Sequence, residues 1–258
     1  MIELWNLIIL DPILNGLITL SSIFSSNFGL AIIALTIIVR LILWPLTKRQ
    51  LNSTKAMQDM QPKIQELQKK HGKNKQKLQQ EMMQLYKDAG VNPLGCIWPM
   101  LVQFPVWIAL YQSIIKALAT TPENLLDLSY HLYSWQVISQ AFPLSSHFLW
   151  LDLGGRGDLG LAIVVGGTMW VQQKMTTAPS VDPKQQSMNS MMQMMMPLMF
   201  GLFVLMVPSG LALFWAVSNA IGIITQYFVA GGWGYLRFRS PTQQVPARES
   251  KRAPQKRS

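Results

Sequence analysis

QQSMNSMMQMMMPLMFGLFVLMVPSGLALFWAVSNAIGIITQYFVAGGWGYL, residues 185 to 236, runs for 52 residues without one Asp, Glu, Lys or Arg. As one helix it would be roughly 78 Å long, against a bilayer hydrocarbon core of about 30 Å, so it must fold back on itself. Pro208, Ser209 and Gly210 mark the turn, and three residues between two apolar runs force an antiparallel helical hairpin. The rest of the chain has the same character. Half of the 258 residues are hydrophobic, 13% are charged and the mean hydropathy is +0.22. That balance fits a polytopic, all-α membrane protein and excludes a soluble core.

Working outward from the hairpin, five apolar runs qualify as spans: Phe28–Leu46, Leu94–Ile115, Leu159–Met175, Met188–Val207 and Leu211–Ala230. The third is the shortest and needs little tilt or a thinned bilayer. Residues before Phe28 are apolar but interrupted by Asp11 and Pro12, which predicts an amphipathic helix on the membrane surface, with a sixth span as the alternative. The N-terminus lacks the basic stretch of a secretory signal. Cys96 stands alone, so no internal disulfide is possible, and it reads as a small core residue.

Charge sets the orientation. Ten of the 22 basic residues lie between Lys48 and Lys87 and seven between Arg237 and Arg257, whereas Glu123, Asp127, Asp152 and Asp158 share the long loop between spans two and three. Lys and Arg concentrate on the cytoplasmic side, which puts the N-terminus outside and the tail in the cytosol. The number of spans is then odd. The organisation predicted is an interfacial helix (1–27), span one (28–47), a cytoplasmic helical hairpin (48–92), span two (93–116), an outer loop (117–158), span three (159–176), a cytoplasmic loop (177–187), span four (188–207), an outer turn (208–210), span five (211–231) and a basic disordered tail (232–258).

In the hairpin, Met57, Met60, Ile64 and Leu67 recur at helical spacing, as do Leu78, Met82 and Leu85 after the break at His71 to Asn74. Pro62 kinks or restarts the first of these helices. A net charge of +6 suits either a solvated linker or a basic arm that touches anionic lipid, ribosomal RNA or a substrate. The tail is open to two readings as well: retention at the inner leaflet, or ribosome binding.

The residue that points to function is Arg40. It precedes Lys48 by eight residues, which places it roughly 12 Å inside the cytosolic end of span one. A guanidinium at the bilayer centre costs about 2.5–3.5 kcal/mol on insertion scales, and such residues face a partner or a water-filled cavity, the alternative being snorkelling to the headgroups or a purely structural bond to backbone carbonyls. None of the five runs holds an Asp, Glu or His, so Arg40 has no counter-ion of its own. Its candidate neighbours are neutral: Thr36, Gln103, Gln172, Gln173 and the stripe Trp215, Asn219, Gly222 and Gln226 on span five. An unpaired arginine among uncharged polar groups describes a hydrated groove, open to an acidic or polar segment from the cytosol. Any one of the neutral groups alone reads as interhelical glue. The Met-rich run MNSMMQMMMPLM, residues 188 to 199, reads first as core filling and only second as a soft surface for varied clients. GGRGDLG, residues 154 to 160, lacks the Lys-Ser/Thr ending of a phosphate loop and is an outer loop.

TIIVRLILWPLTKRQ, MQPKIQELQKKHG, EMMQLYKDAGVNPLGC, VQFPVWIALY and PSGLALFWAVSNAIGIITQ closely resemble the YidC/Oxa/Alb insertases, in order, from about Pro12 to Gln226. The resemblance implies a protein that passes hydrophobic segments of nascent membrane proteins from the cytosol into the bilayer, alone or with the Sec translocon. It makes Arg40 the groove arginine that receives a client's polar end, with Gln103, Gln173 and Trp215 as groove lining. It makes the hairpin a mobile arm that meets clients first. The chain departs from the Gram-negative pattern in lacking a large periplasmic domain and an extra N-terminal span. It also lacks the lipoprotein cysteine common in Gram-positive members.

On the expected mechanism, a client's hydrophilic flank enters the Arg40 groove while its apolar helix slides along spans three and five. No cofactor, nucleotide or DNA is called for. The alternative is a small-solute or anion transporter, although the spans lack the acidic or histidine residues of proton coupling. A membrane enzyme is excluded for want of paired carboxylates, a metal-ligand cluster or a nucleophile beside a base.

Overall fold

The computed structural model describes residues 2–71, 74–90, 97–118, 122–135, 138, 144–177, 183–230 and 232–234. Cys96, the link at Gly72 and Lys73 and the tail from 235 onward lie outside the described residues.

Helix α1 (Glu3–Ile23) passes through Asp11 and Pro12 without a break. The reason is a π-helical turn at Asn6–Leu10, in which the Asp11 N–H donates to Asn6 O, five residues back. The wider turn accommodates Pro12, whose ring would press on the carbonyl four residues earlier in a regular helix. Leu10, Leu14, Leu17 and Ile18 are buried, with α1 packing on α2 (Phe28–Ile42) and α6 (Ile97–Ala117). Leu4, Leu7 and Ile8 face outward and are exposed. Its polar groups have partners at the end of α7 (Pro122–His131) and just beyond it: Asp11 Oδ1 lies 2.7 Å from His131 Nδ1, Asn15 Nδ2 donates to His131 O at 2.8 Å, and Tyr133 N donates to Asn15 Oδ1 at 2.8 Å.

Asn27 caps α2, its Oδ1 accepting from Leu30 N at 3.0 Å. The helix ends at Ile42, short of the Leu46 expected, and α3 (Trp44–Asp59) leaves it at 66°. Pro45 explains the bend, since it can neither donate to nor fit beneath the preceding turn. Pro62 restarts the chain as α4 (Gln61–His71), and α5 (Lys75–Asp88) packs on α4, with Met60 and Ile64 buried.

A two-stranded antiparallel hairpin, β1 (His147–Phe148) and β2 (Leu151–Asp152), precedes α8 (Leu159–Thr176), α9 (Pro183–Val204) and α10 (Ser209–Ala230). The glycine-rich stretch before α8 is a loop, as expected, and its Asp158 caps the helix by accepting from Leu161 N at 2.6 Å. Helices α8 and α9 approach closely where glycines meet: a Cβ on Gly166 would lie 3.2 Å from Pro197 O, and one on Gly201 3.2 Å from Ala162 O.

The core lies where α2, α6, α8 and the first half of α10 converge, and every residue from Leu211 to Ala216 is buried. Methionines do not fill it. Met188, Met191, Met192, Met194, Met195, Met196 and Met199 are all 47% exposed or more, on the outer face of α9. The core-filling expectation fails because α10 already occupies the interior, and an unbranched thioether is stable against lipid tails.

By length and hydropathy two helices can cross a membrane among the described residues, α1 and Ser209–Val229 of α10, or three if the bent α2–α3 pair is one crossing. The chain is thus an α-helical membrane protein.

Candidate functional site

Two sets of polar contacts radiate from α10. On one side, Ile32, Thr36 and Arg40 recur every fourth residue and turn the same face of α2 towards it. A Cβ on Gly210 would sit 3.1 Å from Ile32 Cδ1, and Arg40 Nη2 donates to Ser218 O at 3.0 Å, so the two helices run parallel. Thr36 is fully buried and donates to its own helix, at Ile32 O, 2.6 Å away. Arg40 has no ion pair among the described residues, in keeping with its lack of a counter-ion. Its partner is a backbone carbonyl, the structural alternative that the sequence leaves open for a buried arginine. The bend at Leu43 also shortens its depth along the α2 axis, from roughly 12 Å to roughly 8 Å.

On the other side, α10 is laced to α8. Asn219 Nδ2 donates to Thr168 Oγ1 at 3.2 Å, Gly222 leaves room for Gln172 to lie against its backbone, and Gln226 Nε2 donates to Thr176 Oγ1 at 2.8 Å. These are interhelical bonds within a packed seam. Asn219 and Gln226 therefore do not share a surface with Arg40. Ser218, about 100° around the helix from Asn219, is the residue that does. At the C-terminal end of α8, α3 closes over it, with Gln58 Nε2 donating to Thr176 O at 3.0 Å.

Trp215 is buried in an aromatic cage rather than open to solvent. Its ring lies 4.8 Å from Phe200 and 6.0 Å from Phe203 of α9, and 5.9 Å from Trp107 of α6. Rings from α6 and α9 thus both contact α10 at this residue. Gln103 lies half-buried on α6, one turn before Trp107. Among the described residues, Trp215 Nε1 and Ser218 Oγ, one turn apart on α10, are buried without a hydrogen-bond partner, as are Ser113 Oγ on α6 and Gln173 Oε1 on α8. A dry core rarely tolerates several of these, since each unmet group costs about 1–3 kcal/mol. Ser113, Ser218, Thr168 and Trp107 were missed by the sequence reading. Their only signal was a hydroxyl or an indole standing inside an apolar run.

A bundle of apolar helices with an arginine and a line of neutral polar groups at its centre defines a polytopic membrane protein with a polar interior. Residues 19–233 match the family described as 60Kd inner membrane protein, and the chain belongs to that family. It is 38% identical over 230 residues to the membrane protein insertase YidC of Actinobacillus succinogenes, covering 88% of this chain and 38% of that one. It is 38% identical over 230 residues to the protein of that name from Pasteurella multocida, with the same coverage. Against the membrane protein insertase YidC of Oceanobacillus iheyensis it is 36% identical over 225 residues, covering 84% of this chain and 79% of that one. The chain spans under two fifths of the length of the first two relatives. All three are named as insertases and not as enzymes.

Proposed function

We propose that this protein is a membrane-protein insertase, with a groove between α6 and α9, floored by α10, that takes the polar flank of a nascent membrane protein. The observation that carries the reading is Arg40, held at the Ser218 carbonyl with no acid paired to it among the described residues. A guanidinium has five N–H donors, and Ser218 O occupies one of them. A client carboxylate arriving from the cytosol takes the others, so part of its hydration is replaced before it enters lipid. Burial of the client's apolar helix supplies the driving force, about 0.8 kcal/mol per CH₂, and no nucleotide is consumed.

The route differs from the expected slide along spans three and five. Helix α10 is buried through its first half, whereas α9 exposes Met194, Leu198, Met199 and Leu202, and α6 exposes Leu101 and Phe104. The client helix leaves along α9 and α6.

The topology that goes with this has five crossings, α2, α6, α8, α9 and α10, with the N-terminus outside, α4 and α5 as a basic cytoplasmic arm, and the tail in the cytosol. Parallel α2, α8 and α10 support it. Helix α1 packs at the outer surface, where Asp11 and Asn15 join the α7 loop. Nascent chains and lipids are the direct partners. The ribosome, met by arm and tail, and the Sec translocon are the assisting ones.

Proteoliposomes presented with a short single-span client bearing an acidic tail test the reading. Arg40→Glu should abolish insertion of that client, and a neutral-tailed client should lose less. Equal insertion by Arg40→Glu and the unaltered protein would remove the electrostatic step.

A further inference from the structure

The β1–β2 turn does something the insertion reading does not use. The register pairs Phe148 with Leu151, so Leu149 and Trp150 alone form the turn. Leu149 has a φ of 55°, at the first turn position, where such hairpins ordinarily carry glycine. Both side chains project: Leu149 is 74% exposed and Trp150 72%.

The hairpin below the turn is held firmly to the ends of the long helices. Phe148 packs on Gly29 of α2 so closely that no Cβ fits there. Ser145 N donates to Ser26 O at 3.0 Å, and Gly210 N, at the start of α10, donates to Leu153 O at 2.9 Å. Leu151 and Leu153 are buried. The tip is therefore presented by a rigid base. It also stands at a definite height, because Trp150 Nε1 is 3.8 Å from the position a Cβ on Gly160 would take, in the first turn of α8. From that point the exposed apolar surface continues down α8 through Leu159 and Ile163. His147 and Asp152, the polar pair, sit at the base of the hairpin and not at its tip.

We propose that Leu149 and Trp150 dip into the bilayer interface at the end where α8 begins, anchoring the hairpin to lipid. A lipid surface is the partner these observations favour over a protein. The tip is continuous with a lipid-facing helix face and lies at the level where that helix starts. It also pairs an aliphatic side chain with an indole, the amphipathic ring that settles at headgroup depth. The inference rests on α8 being a crossing, as in the proposed topology, but it concerns location and not insertion.

The test uses the full chain in phosphatidylcholine–phosphatidylglycerol vesicles, with Cys96→Ser and Leu149→Cys carrying an environment-sensitive NBD label. Trp150→Cys in the same background is the second probe, and a Lys77→Cys label on α5 is the water-exposed reference. The expected result at both tip sites is blue-shifted emission, quenching by nitroxide lipids labelled near the headgroup, and at least a severalfold protection from iodide relative to position 77. Emission and iodide quenching equal to position 77 would overturn the proposal. So would protection from iodide without lipid quenching, since that outcome assigns the tip to a protein contact. Neither reading requires an insertion assay, so failure here and failure of the insertase reading are distinguishable.

Discussion

Arg40 Nη2 lies 3.0 Å from the carbonyl oxygen of Ser218, so the arginine of α2 is held by the backbone of α10 and not by an acid. The bond fixes the guanidinium in place while leaving its net charge uncompensated. Two roles follow, one structural and one electrostatic, and substitution separates them. Arg40→Gln removes the charge and loses the bond, a loss of about 1.5–3 kcal/mol for a charged hydrogen bond. Arg40→Lys keeps the charge but not the planar fork. Insertion of an acidic-tailed client should fall about tenfold or more with Gln, equivalent to about 1.4 kcal/mol, and stay within a few-fold of the unaltered protein with Lys. Unfolding in mixed detergent micelles measures the structural share. The electrostatic role fails if Lys and Gln are equally impaired for acidic clients.

Trp215 offers a second separation. Its ring is gripped by Phe200, Phe203 and Trp107, yet its Nε1 has no hydrogen-bond partner among the described residues. Trp215→Phe keeps much of the packing and removes the unmet donor, so the fold should be unchanged or slightly more stable by thermal denaturation. If the indole N–H serves the groove, client crosslinking at Gln103 and the insertion rate should both drop while stability does not. A variant that inserts clients at the normal rate would make Trp215 a packing residue only.

The sequence made the helices legible because apolar length is a one-dimensional property. Residues 185 to 236 announced two antiparallel helices, and they became α9 and α10, with the turn at residues 205–208 and not 208–210, because Ser209 and Gly210 already belong to α10. Arg40 stood out for the same reason, as a charge where none belongs. Contacts between distant segments were not legible. The stripe from Trp215 to Gln226 was read as one groove wall, yet its members divide between an aromatic cage and the α8 seam. Helical periodicity gives a residue's direction but not what lies in that direction. Asn15, almost fully buried and bonded to His131 and Tyr133, went unnoticed because its partners are more than a hundred residues away.

Acid should loosen one corner of the segment between α6 and α8. Lys116 pairs closely with Asp127 and holds its carboxyl below the usual carboxylate range, chiefly through the hydrogen bond. A depressed native value means the contribution is present above the pKa of the unfolded chain, about 3.9, and is lost as the pH falls through the lower native value. The site is exposed, so the effect is small and should weaken with added salt. Between pH 5 and pH 3 the unaltered protein should lose slightly more stability than Asp127→Asn, as read by unfolding midpoints at low ionic strength. Identical acid profiles for the two would remove the pair from the stability of this segment.

The contact between Gly29 and Phe148 makes the sharpest steric prediction. Any side chain at position 29 meets the phenyl ring, which lies directly over the first turn of α2. Gly29→Ala alone should therefore destabilise the protein by about 1–3 kcal/mol, the range for overpacking a close interface, even though alanine is the better helix former. Phe148→Leu alone opens a smaller gap and should also destabilise. In combination the added methyl occupies space that the ring has left, so the double variant should be more stable than the sum of the two losses predicts. The cycle isolates this one contact, and its coupling should fall within about 0.5–3 kcal/mol. Additive losses would mean that the hairpin shifts away from α2 at little cost, and that its base is looser than the Ser26 and Leu153 hydrogen bonds imply. A positive coupling, measured alongside the NBD label at Leu149, should also set how far the tip retreats from lipid when Gly29→Ala pushes the strand outward.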